Sequence, residues 1–155
     1  MDDYKWAAVV SAIANSISAI AVIFAMLQLL VTRRIAQMQF EDGLAKEYRE
    51  LATRIPTKAL IGAGLSPRQY EDTFDELFRY LDLSNEQISL RSRGRIRDQT
   101  WAQWSEGIHF NMKLPVFSRA WADVQQCAPT QFSELARFLS EDIGTDPKNW
   151  STERK

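Results

Sequence analysis

Four arginines, Arg91, Arg93, Arg95 and Arg97, fall within seven residues around Gly94. Guanidinium groups are planar and permanently charged, so this run predicts an anion-attracting patch. Phosphate of a nucleotide or RNA, a lipid headgroup, or the acidic side chains of a protein partner would each satisfy it. The simpler reading is a solvated helix end, where arginine complements the helix dipole. Just upstream, Asp82, Asn85 and Glu86 share a helix face at i, i+3 and i+4. An acidic pair with neither nucleophile nor metal beside it does not make a catalytic site. If buried, Asn85 and Glu86 are expected to bond the arginines or the backbone.

The remaining chemical inventory is thin. His109 is the only histidine, which excludes a multi-histidine metal site within one chain. Cys127 is the only cysteine, expected to pack among apolar neighbours, and no spacing couples it to His109. Gly62-Ala63-Gly64 lacks the following Gly-Lys-Ser/Thr of a phosphate-cradling loop. No catalytic residue, metal or cofactor is expected, and an enzyme ranks last among the functions considered.

The chain has 155 residues, 45% of them apolar and 25% charged, with a net charge of −1. These averages describe a soluble globular protein. They exclude collagen-like, disulfide-rich and disordered chains, and a protein that grips nucleic acid by overall charge. The distribution is uneven, however. From Trp6 to Thr32, 27 residues carry no Asp, Glu, Lys or Arg. An apolar bilayer core of about 30 Å needs about 20 helical residues, so this stretch is long enough to cross. Each of its Ile, Val, Leu and Phe residues favours insertion by about 0.3 to 0.6 kcal/mol at mid-membrane. A cleaved signal peptide fits poorly: the run is too long, and its start carries Asp2 and Asp3 with only Lys5. The helix is expected to be retained. Arg33 and Arg34 follow it directly, and positive charge favours the cytoplasmic side. The expected location is therefore the inner membrane, with the N-terminus outside and the rest of the chain in the cytoplasm. A lone cysteine suits that reducing compartment.

This segment is two-faced. Ala7, Ser11, Ala14, Ser18, Ala21, Ala25 and Gln28 recur at alternating spacings of four and three, with Asn15 beside them. A second face carries Val10, Ile13, Ile17, Phe24, Leu27 and Val31. Lipid is apolar on every side and gives no reason for such segregation. A neighbouring helix does, because small residues let backbones approach and polar ones hydrogen-bond across. The seven-residue repeat also suits a left-handed helical seam. Ser11, Ala14, Asn15, Ser18, Ala21, Ala25 and Gln28 are therefore the expected oligomerisation face, or the lining of a lumen.

Beyond the membrane the helical pattern continues through Phe40, Leu44, Tyr48, Leu51 and Ile55, predicting a stalk that ends before Pro56. Ile61 to Leu65 reads as a loop. Ser66 with Pro67 and Gln69 forms a helix-start signature. The next helix presents Tyr70, Phe74, Leu77, Leu81 and Ile88, widened by Phe78, and is expected to stop at Gly94. Asp98 is the expected cap of a helix bearing Trp101, Trp104, Ile108 and Met112. Leu114-Pro115 starts another, with Phe117, Ala120, Trp121 and Val124, and Pro129-Thr130 a last one, with Phe132, Leu135, Phe138 and Leu139. No strand pattern appears. The fold class is all-α: residues 1–32 as tail and transmembrane helix, 33–143 as stalk and small bundle, and 144–155 as a mobile polar tail. Residues 33–155 hold 18 basic and 18 acidic side chains, so the bundle is charge-balanced.

The stretch Tyr80 to Ile88, then Leu90-Arg91, Gly94-Arg95-Ile96, Trp101, Trp104, Gly107-Ile108, and Leu114-Pro115 with Phe117 and Ala120-Trp121 resembles a group of short bacterial proteins. These have one N-terminal membrane helix and a cytoplasmic helical domain. The resemblance covers roughly residues 5–125 and implies architecture rather than activity. In layout alone the chain is also similar to the membrane-pore accessory protein of type VI CRISPR systems, which implies a ring-like oligomer and, by analogy, antiviral defence. The Arg–His pair of membrane-linked helical ribonucleases is missing: Ala102, Gln103 and Trp104 stand where the arginine would precede His109. The leading expectation is a self-associating membrane protein that binds lipid and forms a homo-oligomeric pore or perturbs the membrane. The alternative is a membrane-anchored adaptor that holds a cytoplasmic protein, nucleotide or RNA through its arginines.

Overall fold

The computed structural model describes residues 3–141 and 144–150, with side chains described at Trp6, at 15–18 and from Ile20 onward. Among them every regular element is helical, so the fold is all-α. The chain divides into two compact units, Met1–Gln39 and Phe40–Lys155. The helices are α1 (Asp3–Arg54), α2 (Thr57–Leu60), α3 (Pro67–Ser92), α4 (Asp98–Lys113), α5 (Pro115–Cys127) and α6 (Ser133–Ser140), followed by a 3₁₀ turn at Pro147–Asn149.

The core of the second unit follows the apolar stripes. Leu44 and Leu51 of α1 and Ile55 just after it are buried, as are Leu77, Leu81 and Ile88 of α3, Trp101 and Ile108 of α4, Phe117 and Val124 of α5, and Leu135 and Phe138 of α6. Tyr80 packs edge-on to Phe117, with ring centroids 4.8 Å apart, and Trp101 packs in the same way on Phe138 at 5.5 Å. Such edge-to-face pairs stabilise a core beyond the area they bury.

Local signals set several helix ends. Ser66 Oγ accepts the Gln69 backbone N–H, and Gln69 Oε1 accepts the Ser66 backbone N–H, a reciprocal capping box. Gly94 ends the run at φ +69, a left-handed conformation that suits a residue without Cβ. Three expectations need correction. Asp98 is the first helical residue of α4 rather than its cap, because Arg97 holds the cap position. The last helix starts at Ser133 and not at Pro129-Thr130, because the chain turns through residues 128–132 and places Phe132 in the left-handed region at φ 58. That turn buries the Phe132 ring against Phe78, at a centroid distance of 5.0 Å. Finally, residues 144–150 are docked rather than a loose tail: Pro147 is buried, and Trp150 packs against the core.

Candidate functional sites

The apolar half of α1 is the first candidate. Among the described residues one helix, near the N-terminus, is long and apolar enough to cross a membrane, and none of its most apolar window is buried. Ile17, Ile20, Val22, Ile23, Phe24, Met26, Leu27, Leu29, Leu30 and Val31 are each more than half exposed. Asn15, Ser18, Ala21, Ala25 and Gln28 lie on this same exposed helix. Ser11 and Ala14 belong to it by backbone, and their side chains lie outside the described residues. Arg33 and Arg34 are exposed where the apolar run ends.

The arginine run is the second candidate, and the structure divides it. Arg91 points inward and is only 2% exposed. Its Nε donates to Asp146 Oδ1 at 2.8 Å, and its Nη1 donates to the Ile96 carbonyl at 2.7 Å. Nη2 pairs with Asp146 Oδ2, and Nη1 pairs with Asp98 Oδ1 at 2.8 Å. The guanidinium is thereby saturated by two carboxylates and a carbonyl, the charge-assisted fork for which arginine is suited. The Arg91 fork holds the Asp146 carboxyl below the usual carboxylate range, against a smaller opposing effect of burial.

Arg97 is also engaged. Its partner is Glu41 on α1, a carboxylate only 2% exposed. Glu41 accepts the Arg97 backbone N–H at 2.8 Å, Arg97 Nε at 2.8 Å and the Thr100 hydroxyl at 2.6 Å. Burial pushes the Glu41 carboxyl up, but the bonds from Arg97 and Thr100 outweigh it and hold the group below its ordinary value. A carboxylate at the start of α4 also complements the positive end of that helix. The expected four-arginine anion patch is therefore corrected. Arg91 is a buried strut, Arg97 is an exposed residue paired with the buried Glu41, and Arg93 and Arg95 are exposed on either side of Gly94.

Comparison with protein-family models, with curated proteins and with solved structures finds no match for this chain.

The other sequence candidates take structural places. Asn85 Oδ1 accepts the backbone N–H groups of Glu134 and Leu135, both at 3.0 Å, and so caps α6 from α3. Asn85 is half-buried and bonds the backbone, whereas Asp82 and Glu86 are exposed. His109 stacks on Phe138 at 4.5 Å, and burial followed by the Lys113 charge lowers its pKa. Cys127 is exposed at the end of α5, which corrects the expectation that it packs among apolar neighbours. No group of His, Cys, Asp and Glu able to hold a metal ion occurs among the described residues.

Two buried polar pairings escape sequence reasoning. Glu41 interrupts an apolar stripe and looks like a surface residue. Tyr80 sits in an apolar face, yet its hydroxyl accepts a hydrogen bond from Asn111 Nδ2 at 3.1 Å. Burial pushes the Tyr80 pKa up to about 12, so the hydroxyl keeps its proton.

Proposed function

We propose that this chain is a non-enzymatic, single-pass inner-membrane protein that self-associates through its charge-free helix, with its N-terminus outside and its bundle in the cytoplasm. The observation that carries this reading is the exposed apolar segment of α1, whose most apolar window the rest of the chain leaves entirely uncovered. A contiguous apolar surface of that kind marks contact with a membrane or partner, and this length matches a bilayer core. The cations at Arg33 and Arg34 support the orientation.

Self-association is supported by the composition of the faces. Bulky side chains suffice for lipid, whereas Ala21 and Ala25 on one face with Asn15, Ser18 and Gln28 suit close helix contact. Each span has only one such stripe, so several copies arranged around an axis would bring Asn15, Ser18 and Gln28 together and line a water path. The internal pairing of Arg91 and Arg97 weighs against the adaptor alternative.

Native mass of the full-length protein in mild detergent is expected to show several copies. Ser18→Ile is expected to weaken association by about tenfold, the loss of one close helix contact. It is also expected to suppress dye release from protein-loaded liposomes, whereas Ile20→Val leaves both unchanged. A strictly monomeric full-length protein, or an unaltered oligomer with Ser18→Ile, would sink the proposal.

A further inference from the structure

A cleft between α1, α3 and α4 lies wholly within the second unit and is independent of the arginine run. It encloses about 350 Å³ and is lined by Tyr48, Arg49, Gln87, Trp104, Gly107 and Asn111 among others. That volume lies in the range of small-molecule sites, about 300–1,000 Å³. A larger groove of about 890 Å³ runs along α4, but the charged groups Arg91, Asp98, Asp146 and Lys148 on its wall already pair with one another. The smaller cleft differs in that Gln87 on its wall makes no hydrogen bond to another described residue.

Gln87 is the decisive residue. Its side chain is only 6% exposed, yet it makes no hydrogen bond among the described residues. Its amide atoms are not sealed from solvent, since Ser84 Oγ is the one sealed and unpartnered side-chain atom among the described residues, so they open on the cleft. A primary amide offers one donor edge and one acceptor edge side by side, the pattern that glutamine and asparagine use to hold a nucleobase edge. Asn111 stands beside it, its Nδ2 committed to the Tyr80 hydroxyl at 3.1 Å, which fixes its orientation and leaves its carbonyl oxygen as an acceptor. Tyr48 and Trp104 supply aromatic faces on which a flat ring can stack. Arg49 is exposed and makes no ion pair among the described residues, so its planar fork is available to an anionic group. At Gly107 an added Cβ would meet nothing within 4 Å, so the helix leaves this stretch of the cleft open.

We infer that this cleft binds a nucleotide-sized ligand: a planar nitrogen heterocycle, gripped by Gln87 and Asn111 and stacked on Tyr48 or Trp104, carrying a phosphate held by Arg49. The small volume fits a mononucleotide and not a nucleic-acid strand.

The test is equilibrium dialysis of the four nucleoside 5′-monophosphates, and of adenosine, against the full chain in nanodiscs. At least one monophosphate is expected to bind saturably with a Kd below about 1 mM. Gln87→Leu and Gly107→Leu are each expected to weaken it at least about tenfold. The Cβ of Gly107→Leu meets nothing within 4 Å and leucine raises helix propensity, so this variant keeps the test sharp should Gln87→Leu disturb folding. Arg49→Gln is expected to weaken the monophosphate but not adenosine, and Arg93→Glu to change neither. The inference is overturned if none of the four binds at about 5 mM, or if Gln87→Leu and Gly107→Leu both leave the affinity unchanged.

Discussion

Replacing Arg91 with alanine is expected to destabilise the second unit by about 3 kcal/mol, the low end for breaking a buried ion pair, since Asp98 on one side of it is largely exposed. The loss has two parts. The Asp146 carboxylate loses its fork, and the Ile96 carbonyl loses its donor. Pro147 and the turn after it are anchored by that fork, so they detach with it. For a unit of this size the unfolding midpoint should fall by roughly 10 °C in circular dichroism. Lysine at 91 should recover only part of this, because one ammonium cannot match a two-point fork. The acid limb of stability provides a second readout. Asp146 has a folded-state pKa below its unfolded value of about 3.9. Its contribution is therefore complete above the unfolded value and is lost as pH falls through the lower folded value. Asp146→Asn should flatten that limb, whereas an unchanged acid transition and midpoint in both variants would refute the strut.

A chain beginning at Phe40 is expected to keep the bundle and lose the membrane. The buried residues that α1 contributes to the second unit are Glu41, Leu44 and Leu51, and all of them lie beyond Phe40. Removal of the first unit should leave the helical signal and midpoint of the bundle intact. It should also shift the protein from the membrane to the soluble fraction by more than about a hundredfold, since insertion of the apolar run is favourable by several kcal/mol. The truncated chain should be monomeric. Retention in the membrane fraction would place the anchor elsewhere, and an unfolded product would show that the bundle depends on the first unit.

Much of the architecture was legible because it rests on local rules. The charge-free run, the 3.6-residue stripes and the Ser66–Gln69 box each involve residues a few positions apart, and the helices follow them. What escaped depends on partners far along the chain. Glu41 acquires its role from Arg97, 56 residues away, and Asn85 from Glu134, 49 residues away. Each replaces a cap that local sequence fails to supply, which is why the starts of α4 and α6 were misplaced. The arginine run misled for the same reason. Charge density was visible, but not the carboxylates of Asp146 and Glu41 that consume half of it. The docked turn before Trp150 was hidden too. It holds through the Asp146 fork, and through Trp150 Nε1 donating to Glu141 at 2.8 Å with Arg137 over the indole ring, rather than through any periodic pattern. The membrane-facing candidates lie on one exposed helix, and their face preference is a property of sequence spacing alone.

That preference can be measured directly. In a Cys127→Ser background, single cysteines at Ala21 and at Ile23 stand about 200° apart around one helix. Oxidative cross-linking in native membranes is predicted to trap dimers and higher species through Ala21→Cys, on the small-residue face, and to leave Ile23→Cys monomeric. Equal cross-linking at the two positions, or none at either, would contradict a membrane helix that assembles through this face.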